Sequence, residues 1–205
     1  QAKSMNIPVG YQSPESLAQL ADSDMHQGIA ARTTIFPTTG WQEMLMAPSE
    51  PAIFLLLDSI VDPQNLGALI RTALCVGVKG VVIPKDRAAA PSPGVSKASA
   101  GALEHIQVAQ VVNLVSAMKD LKKIGGWIIG LDASGYQSIY DTDLSGMIGI
   151  VIGGEEAGIR PLVGRECDFL AHIPMTGAVN SLNASVAGGV VLYEAFRQQN
   201  IGNRC

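Results

Sequence analysis

Along the chain, short apolar runs alternate with apolar stripes at helical spacing. Ile53-Phe54-Leu55-Leu56-Leu57 is continuously apolar, the pattern of a strand buried on both faces. Leu66, Leu69, Ile70, Ala73 and Leu74 follow at the spacing of one helical face, and Gly77 ends that stripe. Val81-Val82-Ile83 reads as a second strand. Leu114, Met118 and Leu121 mark another helix, with Lys119, Lys122 and Lys123 on its wet side and Gly125-Gly126 closing it. Three more strands are expected at Trp127-Ile128-Ile129, Ile148-Gly149-Ile150-Val151-Ile152 and Leu170-Ala171-His172-Ile173, and a last helix from about Asn183 to Gln198. Strands alternating with helices predict an α/β fold: a mainly parallel sheet with helices on both faces.

The pattern is weaker before Pro48-Ser49-Glu50-Pro51, which is taken as a boundary. Ser13-Pro14-Glu15 has the form of a helix start, serine as cap and proline in the first turn. His26-Gln27-Gly28 reads as a turn leading into a short strand at Ile29-Ala30-Ala31. Residues 1–48 hold too few apolar positions for an independent domain. They are expected to be an appendage, or the end of a domain begun before residue 1; residues 49–205 form the main domain.

Composition narrows the class. Hydrophobic residues make up 47% and charged residues 16% of 205, an ordinary globular balance. No apolar run is long enough to cross a bilayer, so no membrane partner is expected. Cys75, Cys167 and Cys205 are scattered and odd in number, against a disulfide framework and in keeping with a reducing compartment; a cytoplasmic protein is expected. His26, His105 and His172 have no second ligand at metal spacing, so no metal is expected. The net charge of −4 speaks against a broadly basic surface. Arg71, Lys85, Arg87, Lys97 and Arg160, however, fall in or near turns at one edge of the sheet. Asp120, Asp132, Asp141, Asp143, Glu166 and Asp168 are assigned mostly elsewhere, so a local positive face is predicted.

Ligands of such sheets bind at the carboxyl ends of the strands. Three polar, glycine-containing turns follow strands in this chain: Asp58 to Gly67, with Arg71 a turn into the helix; Gly153-Gly154-Glu155-Glu156-Ala157-Gly158; and Pro174 to Asn183. The first contains no G-x-G-x-x-G, which argues against a nicotinamide-dependent dehydrogenase. Plainer roles exist for each residue. Asn65 and Asn183 suit helix caps, Glu155 and Glu156 suit a helix start, and Arg71 suits a solvated helix face.

Asp62-Pro63-Gln64-Asn65-Leu66-Gly67 with Arg71-Thr72-Ala73, Gly153-Gly154-Glu155 with Gly158, and Ile173-Pro174-Met175 with Asn180-Ser181-Leu182-Asn183 and Ser185-Val186-Ala187 resemble the three motifs of the SpoU/TrmH family of RNA ribose methyltransferases, in the SPOUT superfamily. The likeness runs over roughly residues 52–199. Pro84-Lys85-Asp86-Arg87, Lys97 to Ala102 and His26-Gln27-Gly28 further resemble the bacterial subgroup acting on a guanosine of 23S ribosomal RNA. The resemblance implies a C-terminal trefoil knot, and makes residues 1–48 the last part of an L30e-like RNA-binding domain with its linker. It implies S-adenosyl-L-methionine as cofactor, held by Gly153, Gly154, Ile173, Met175 and Leu182. It implies Asn65, Arg71, Glu155, Ser181 and Asn183 as the catalytic set. The expected activity is 2′-O-methylation of a guanosine ribose in ribosomal RNA. Methylation of tRNA by the same fold and a catalytically silent RNA-binding protein are the alternatives. Arg71 is the family's proposed base, yet a guanidinium is effectively always protonated; a phosphate or alkoxide clamp is the equal reading. A homodimer through the last helix is expected; the run Val190, Val191, Leu192, Tyr193 and Phe196 reads as core or as core plus dimer interface, so a charge at Val191 or Phe196 should either unfold the chain or give inactive monomers.

Overall fold

In the computed structural model, which describes residues 2–21, 24, 26–32, 34, 36–46, 51–177 and 181–201, the five expected apolar runs all become strands of one sheet. The strands are β1 (Ala52–Asp58), β2 (Gly80–Pro84), β3 (Val108–Val111), β4 (Trp127–Leu131), β5 (Gln137–Ser138), β6 (Met147–Gly153) and β7 (Phe169–His172). Their spatial order is β3-β2-β1-β6-β4-β7-β5, and every pairing is parallel. All seven residues of β1 are buried, as its unbroken apolar sequence demands. β3 and β5, which the pattern did not single out, are the two edges. They are short and carry polar residues, because an edge faces solvent on one side.

The helices are α1 (Pro14–Ala21), α2 (Trp41–Leu45), α3 (Pro63–Cys75), α4 (Pro93–Ala98), α5 (Leu114–Lys123), α6 (Pro161–Glu166) and α7 (Ala184–Ile201). Alternate residues of the central strands feed two apolar layers. Leu55, Leu57, Ile150 and Ile152 pack with Leu66, Leu69 and Ile70 of α3 and Leu192 of α7. Phe54, Leu56 and Val151 pack with Met118 and Leu121 of α5 and Val163 of α6. Helices therefore cover both faces. Close approach of α3 to α4 requires Gly67, where a Cβ would collide with Ala98.

The chain separates into two units, Gln1–Ile35 and Phe36–Cys205. The second includes α2, whose Trp41 meets Phe54 edge to face, ring centroids 5.5 Å apart. The boundary expected at Pro48-Ser49-Glu50-Pro51 falls largely outside the described residues. In the first unit α1 starts as expected: the Ser16 amide donates to Ser13 Oγ at 3.2 Å and the Leu17 amide to the Ser13 carbonyl at 2.9 Å. The turn at His26-Gln27-Gly28 also forms, with positive φ at Gln27 and Gly28 and the Gly28 amide donating to His26 Nδ1 at 2.9 Å. The strand expected at Ile29-Ala30-Ala31 does not form. A strand is held by a neighbour's backbone, and the described residues offer these three no ladder.

The apolar run of α7 divides by residue. Val191 is fully buried against the sheet and is core rather than interface, and Phe196 is half-buried. The apolar residues that α7 exposes are Val186 and Tyr193, one heptad apart on one face. Among the described residues no helix is long and apolar enough to cross a membrane.

Two cysteines differ in reactivity by their surroundings. Cys75 is exposed at the end of α3. Cys167 is largely enclosed, and burial pushes its thiol up to about 12. The thiolate is the reacting form, so iodoacetamide at mildly alkaline pH should label Cys75 in the folded protein and reach Cys167 only after unfolding. Mass spectrometry showing equal labelling of the two in the folded state would refute this.

Candidate functional site

The site grows from three strand ends. At the end of β1, Asp62 caps α3 by accepting from the Gln64 amide at 3.0 Å, with Pro63 in the first helical position. Asn65 is therefore not the cap. Its side chain is free to reach out of the helix, and its Nδ2 donates to Glu155 Oε1 at 2.7 Å while the residue stays buried.

Beyond β7, Asn183 precedes α7 and does two things. Its Oδ1 accepts from the amides of Ser185 at 2.9 Å and Val186 at 3.3 Å, capping the helix. Its Nδ2 donates to Glu155 Oε1 at 2.6 Å and to Asn65 Oδ1 at 2.9 Å. One carboxylate oxygen thus gathers two side-chain amides from positions 90 and 28 residues away. Charge-assisted bonds of this kind are shorter and stronger than neutral ones.

Glu155 is presented by the turn after β6, whose shape depends on two glycines. A Cβ at Gly153 would collide with the backbone of Gly158 and Ile159, and one at Gly154 with the Ser59 carbonyl. The Gly154 amide donates to the Asp58 carbonyl at 2.9 Å, and the Gly158 amide to the Gly154 carbonyl at 2.9 Å. An ion pair between a buried carboxylate and a partly exposed guanidinium ties this turn to β1. The fully buried Asp58 carboxylate accepts from the Arg160 amide at 2.8 Å, Nε at 2.7 Å and Nη2 at 2.6 Å.

Beside the cluster lies a cleft of about 220 Å³ at the carboxyl ends of β4 and β6 and just beyond β7. Gly153, Gly154, Ile173, Met175 and Leu182, the five expected cofactor positions, all line it, as do Glu155 and Ser181. Asn65 and Asn183 join it through Glu155. Arg71 does not line it. Six residues after Asn65, it is about 9 Å farther along α3 and turned well round the helix axis. It is exposed and has neither ion pair nor hydrogen bond among the described residues.

The cleft also contains residues that sequence reasoning left out: Leu131, Asp132 and Ala133 at the end of β4, and Ala184 and Ala187 of α7. Asp132 was grouped with acidic residues away from the site; it lines the cleft. Its position directly after a strand was the available signal. Asp132 Oδ1 accepts from the amide and hydroxyl of Ser134, at 2.8 and 2.6 Å. Among the described residues no three His, Cys, Asp or Glu side chains gather as metal ligands do.

The fold and cleft define an all-parallel α/β protein with a cleft at its strand ends, and comparison with known proteins gives the family. Residues 52–193 match the SpoU rRNA Methylase family. A 23S rRNA (guanosine-2′-O-)-methyltransferase, RlmB, of Xanthomonas axonopodis pv. citri is 42% identical over 202 residues, covering 97% of this chain and 81% of that protein. YacO of Bacillus subtilis, named for the TrmH family of tRNA/rRNA methyltransferases, is 41% identical with the same coverage. Among solved structures, the SpoU methyltransferase AviRb of Streptomyces viridochromogenes in complex with AdoMet aligns with a TM-score of 0.70 at 29% identity, over 75% of this chain and 60% of that one. An AdoMet-bound rRNA methyltransferase of Sinorhizobium meliloti aligns with a TM-score of 0.73 at 28% identity, over 79% of this chain and 61% of that one. The chain belongs to the SpoU rRNA methylase family. It spans about four fifths of the length of these sequence relatives and about three fifths of these two solved chains.

Proposed function

We propose that this protein transfers a methyl group from S-adenosylmethionine to the ribose 2′-hydroxyl of a guanosine in 23S ribosomal RNA. The observation that carries the reading is the Asn65–Glu155–Asn183 cluster standing beside a glycine-floored cleft at the strand ends. The cleft residues suit the cofactor chemically. Ile152, Ile173, Met175 and Leu182 offer apolar walls to a purine and an aliphatic methionine chain, and Asp132 and Glu155 offer carboxylates to a cation. When bound, S-adenosylmethionine supplies a methyl group already activated by its sulfonium.

The chain's own residues then have positioning tasks. Glu155 Oε1 is committed to the two asparagines, which leaves Oε2 to accept from a hydroxyl. Ser181 lines the same cleft and can bond the ribose or the cofactor. Holding nucleophile, carbon and leaving group in line supplies at best about 7–11 kcal/mol of the barrier. Arg71 completes the set from a second copy of the chain. Its exposed guanidinium, without a partner among the described residues, supports this, and so does the exposed Val186 and Tyr193 stripe on α7, an apolar face for a homodimer. Under the same reading residues 1–48 are the end of an L30e-like RNA-binding domain with its linker, and residues 49–205 the catalytic domain with a C-terminal trefoil knot. The protein works in the cytoplasm.

Calorimetry and a methyl-transfer assay test the proposal. S-adenosylmethionine should bind and NAD should not. An unmodified 23S rRNA transcript should accept methyl groups at a ribose, and dialysis against a chelator should leave the rate unchanged. Transfer only to tRNA would replace the substrate. Binding without transfer to any RNA would make the protein a silent RNA binder, and activity lost to the chelator but restored by a divalent ion would overturn the metal-free displacement.

A further inference from the structure

Two more grooves continue from the cofactor cleft, and they share residues in sequence. The first, about 370 Å³, shares Gly154, Glu155 and Gly158 with the cleft and is lined also by Ser59, Asn65 and Arg87. The second, about 500 Å³, shares Arg87 and Arg160 with the first and is floored by Val112, Leu114, Leu162 and Val163. A path therefore runs from the cluster to an apolar hollow, with Arg87 at the junction.

The charges along the path are unequal. Asp62, Glu155 and Glu156 line the first groove. The second has no carboxylate in its lining, and two guanidinium groups face it. Arg160 is committed to the buried Asp58. Arg87 is exposed and has no ion pair or hydrogen bond among the described residues. Its φ is 57° and that of Ser59, lining the same first groove, is 65°. Side chains rarely adopt such backbone angles, and residues held there cluster at ligand clamps.

We propose that the hollow beyond Arg87 is a subsite for an unpaired nucleotide flanking the methylated one, with Arg87 gripping its phosphate and Leu162 and Val112 packing on its base. This rests on the function proposed above. Single-stranded RNA is recognised by splaying bases out onto aromatic rings or guanidinium planes, and a base taken out of its stack is also held between aromatic or apolar side chains. No aromatic residue lines this hollow, so its apolar floor takes that task. Val112 and Leu162 are 79% and 67% exposed, which leaves them available to a base.

The test measures binding of an unmodified 23S rRNA transcript between about 50 and 200 mM salt, with S-adenosylmethionine affinity measured in parallel. Arg87→Ala should raise the Kd for RNA about tenfold and flatten the slope of log Kd against log salt by about 0.7, one single-strand phosphate contact. Arg87→Lys should keep the slope and regain only part of the affinity, because it keeps the charge and loses the plane. Leu162→Glu, at an exposed position, should weaken RNA binding by on the order of tenfold through a carboxylate set against phosphate. Each variant should bind S-adenosylmethionine as the unaltered protein does. Unchanged RNA affinity and salt slope in both Arg87→Ala and Leu162→Glu overturns the subsite while the methyltransferase reading stands. An unaltered protein that methylates no RNA overturns both.

Discussion

Arg71→Ala is expected to lower the methyl-transfer rate by about 10²–10³-fold, the usual loss when a donor stabilising developing oxyanion charge is removed. Affinity for S-adenosylmethionine should stay within a few-fold, because the apolar walls and carboxylates proposed to hold it belong to Asp132, Ile152, Glu155, Ile173, Met175 and Leu182. Arg71→Lys separates the two roles. A lysine keeps the charge but not the planar fork, and its pKa can fall on burial. Much of the rate retained, with the pH profile moved to lower pH because lysine loses its proton more readily than arginine, supports proton removal by this side chain. A lysine variant as inactive as alanine at every pH, with weaker RNA binding, makes Arg71 a clamp. The proposed trans arrangement has its own readout. Mixing Arg71→Ala with Glu155→Ala chains should restore about a quarter of the activity, since half of randomly assembled two-fold dimers carry one intact site. No recovery from verified mixed dimers would place Arg71 with its own chain's cleft. A normal rate for Arg71→Ala would return it to an ordinary solvated helix face.

Arg160→Ala should be the most destabilising single change near the site, costing about 3–5 kcal/mol in urea unfolding. It strands the Asp58 carboxylate, which is fully buried and otherwise keeps only the amide at position 160. Adding Asp58→Asn to Arg160→Ala should recover part of that loss, because the uncompensated charge is then gone. A double variant less stable than Arg160→Ala alone would show that charge burial is not the cause. The Asp58 carbonyl also receives the Gly154 amide, so loosening this corner should weaken cofactor binding as well.

How much was legible beforehand follows from how strongly each element is constrained locally. β1 and β6 lie in the middle of a parallel sheet, so both faces of each had to be apolar, and the runs at Ile53–Leu57 and Ile148–Ile152 announced them. β3 holds Val108-Ala109-Gln110-Val111 and β5 only Gln137-Ser138; an edge needs less apolar sequence and leaves less trace. α4 and α6 are one-and-a-half-turn helices too short for a stripe. The Ser92-Pro93 start of α4 has the same cap-and-proline form that located α1, and it went unread for lack of a stripe behind it. The strand anticipated at Ile29–Ala31 failed for the opposite reason: local preference without a partner ladder.

The site divides in the same way. The sequence alone pointed to the three polar, glycine-containing turns that the fold brings together, because such turns at strand ends stand out locally from the apolar runs they follow. It also pointed to Asn183 as a helix cap, whose geometry is local; its bonds to Glu155 and Asn65 came from the tertiary structure. Only the tertiary structure decided that Asn65 is not a cap but a donor to Glu155, that Asp132 lines the cleft, and that Arg71 does not. Those facts depend on sheet order. Parallel pairing sets Asp58 opposite Gly153 and lays β6 between β1 and β4, and such long-range neighbours leave no periodicity in the chain. Hydrophobic pattern reports which face of an element is buried; it holds no record of which distant residue lies across from it.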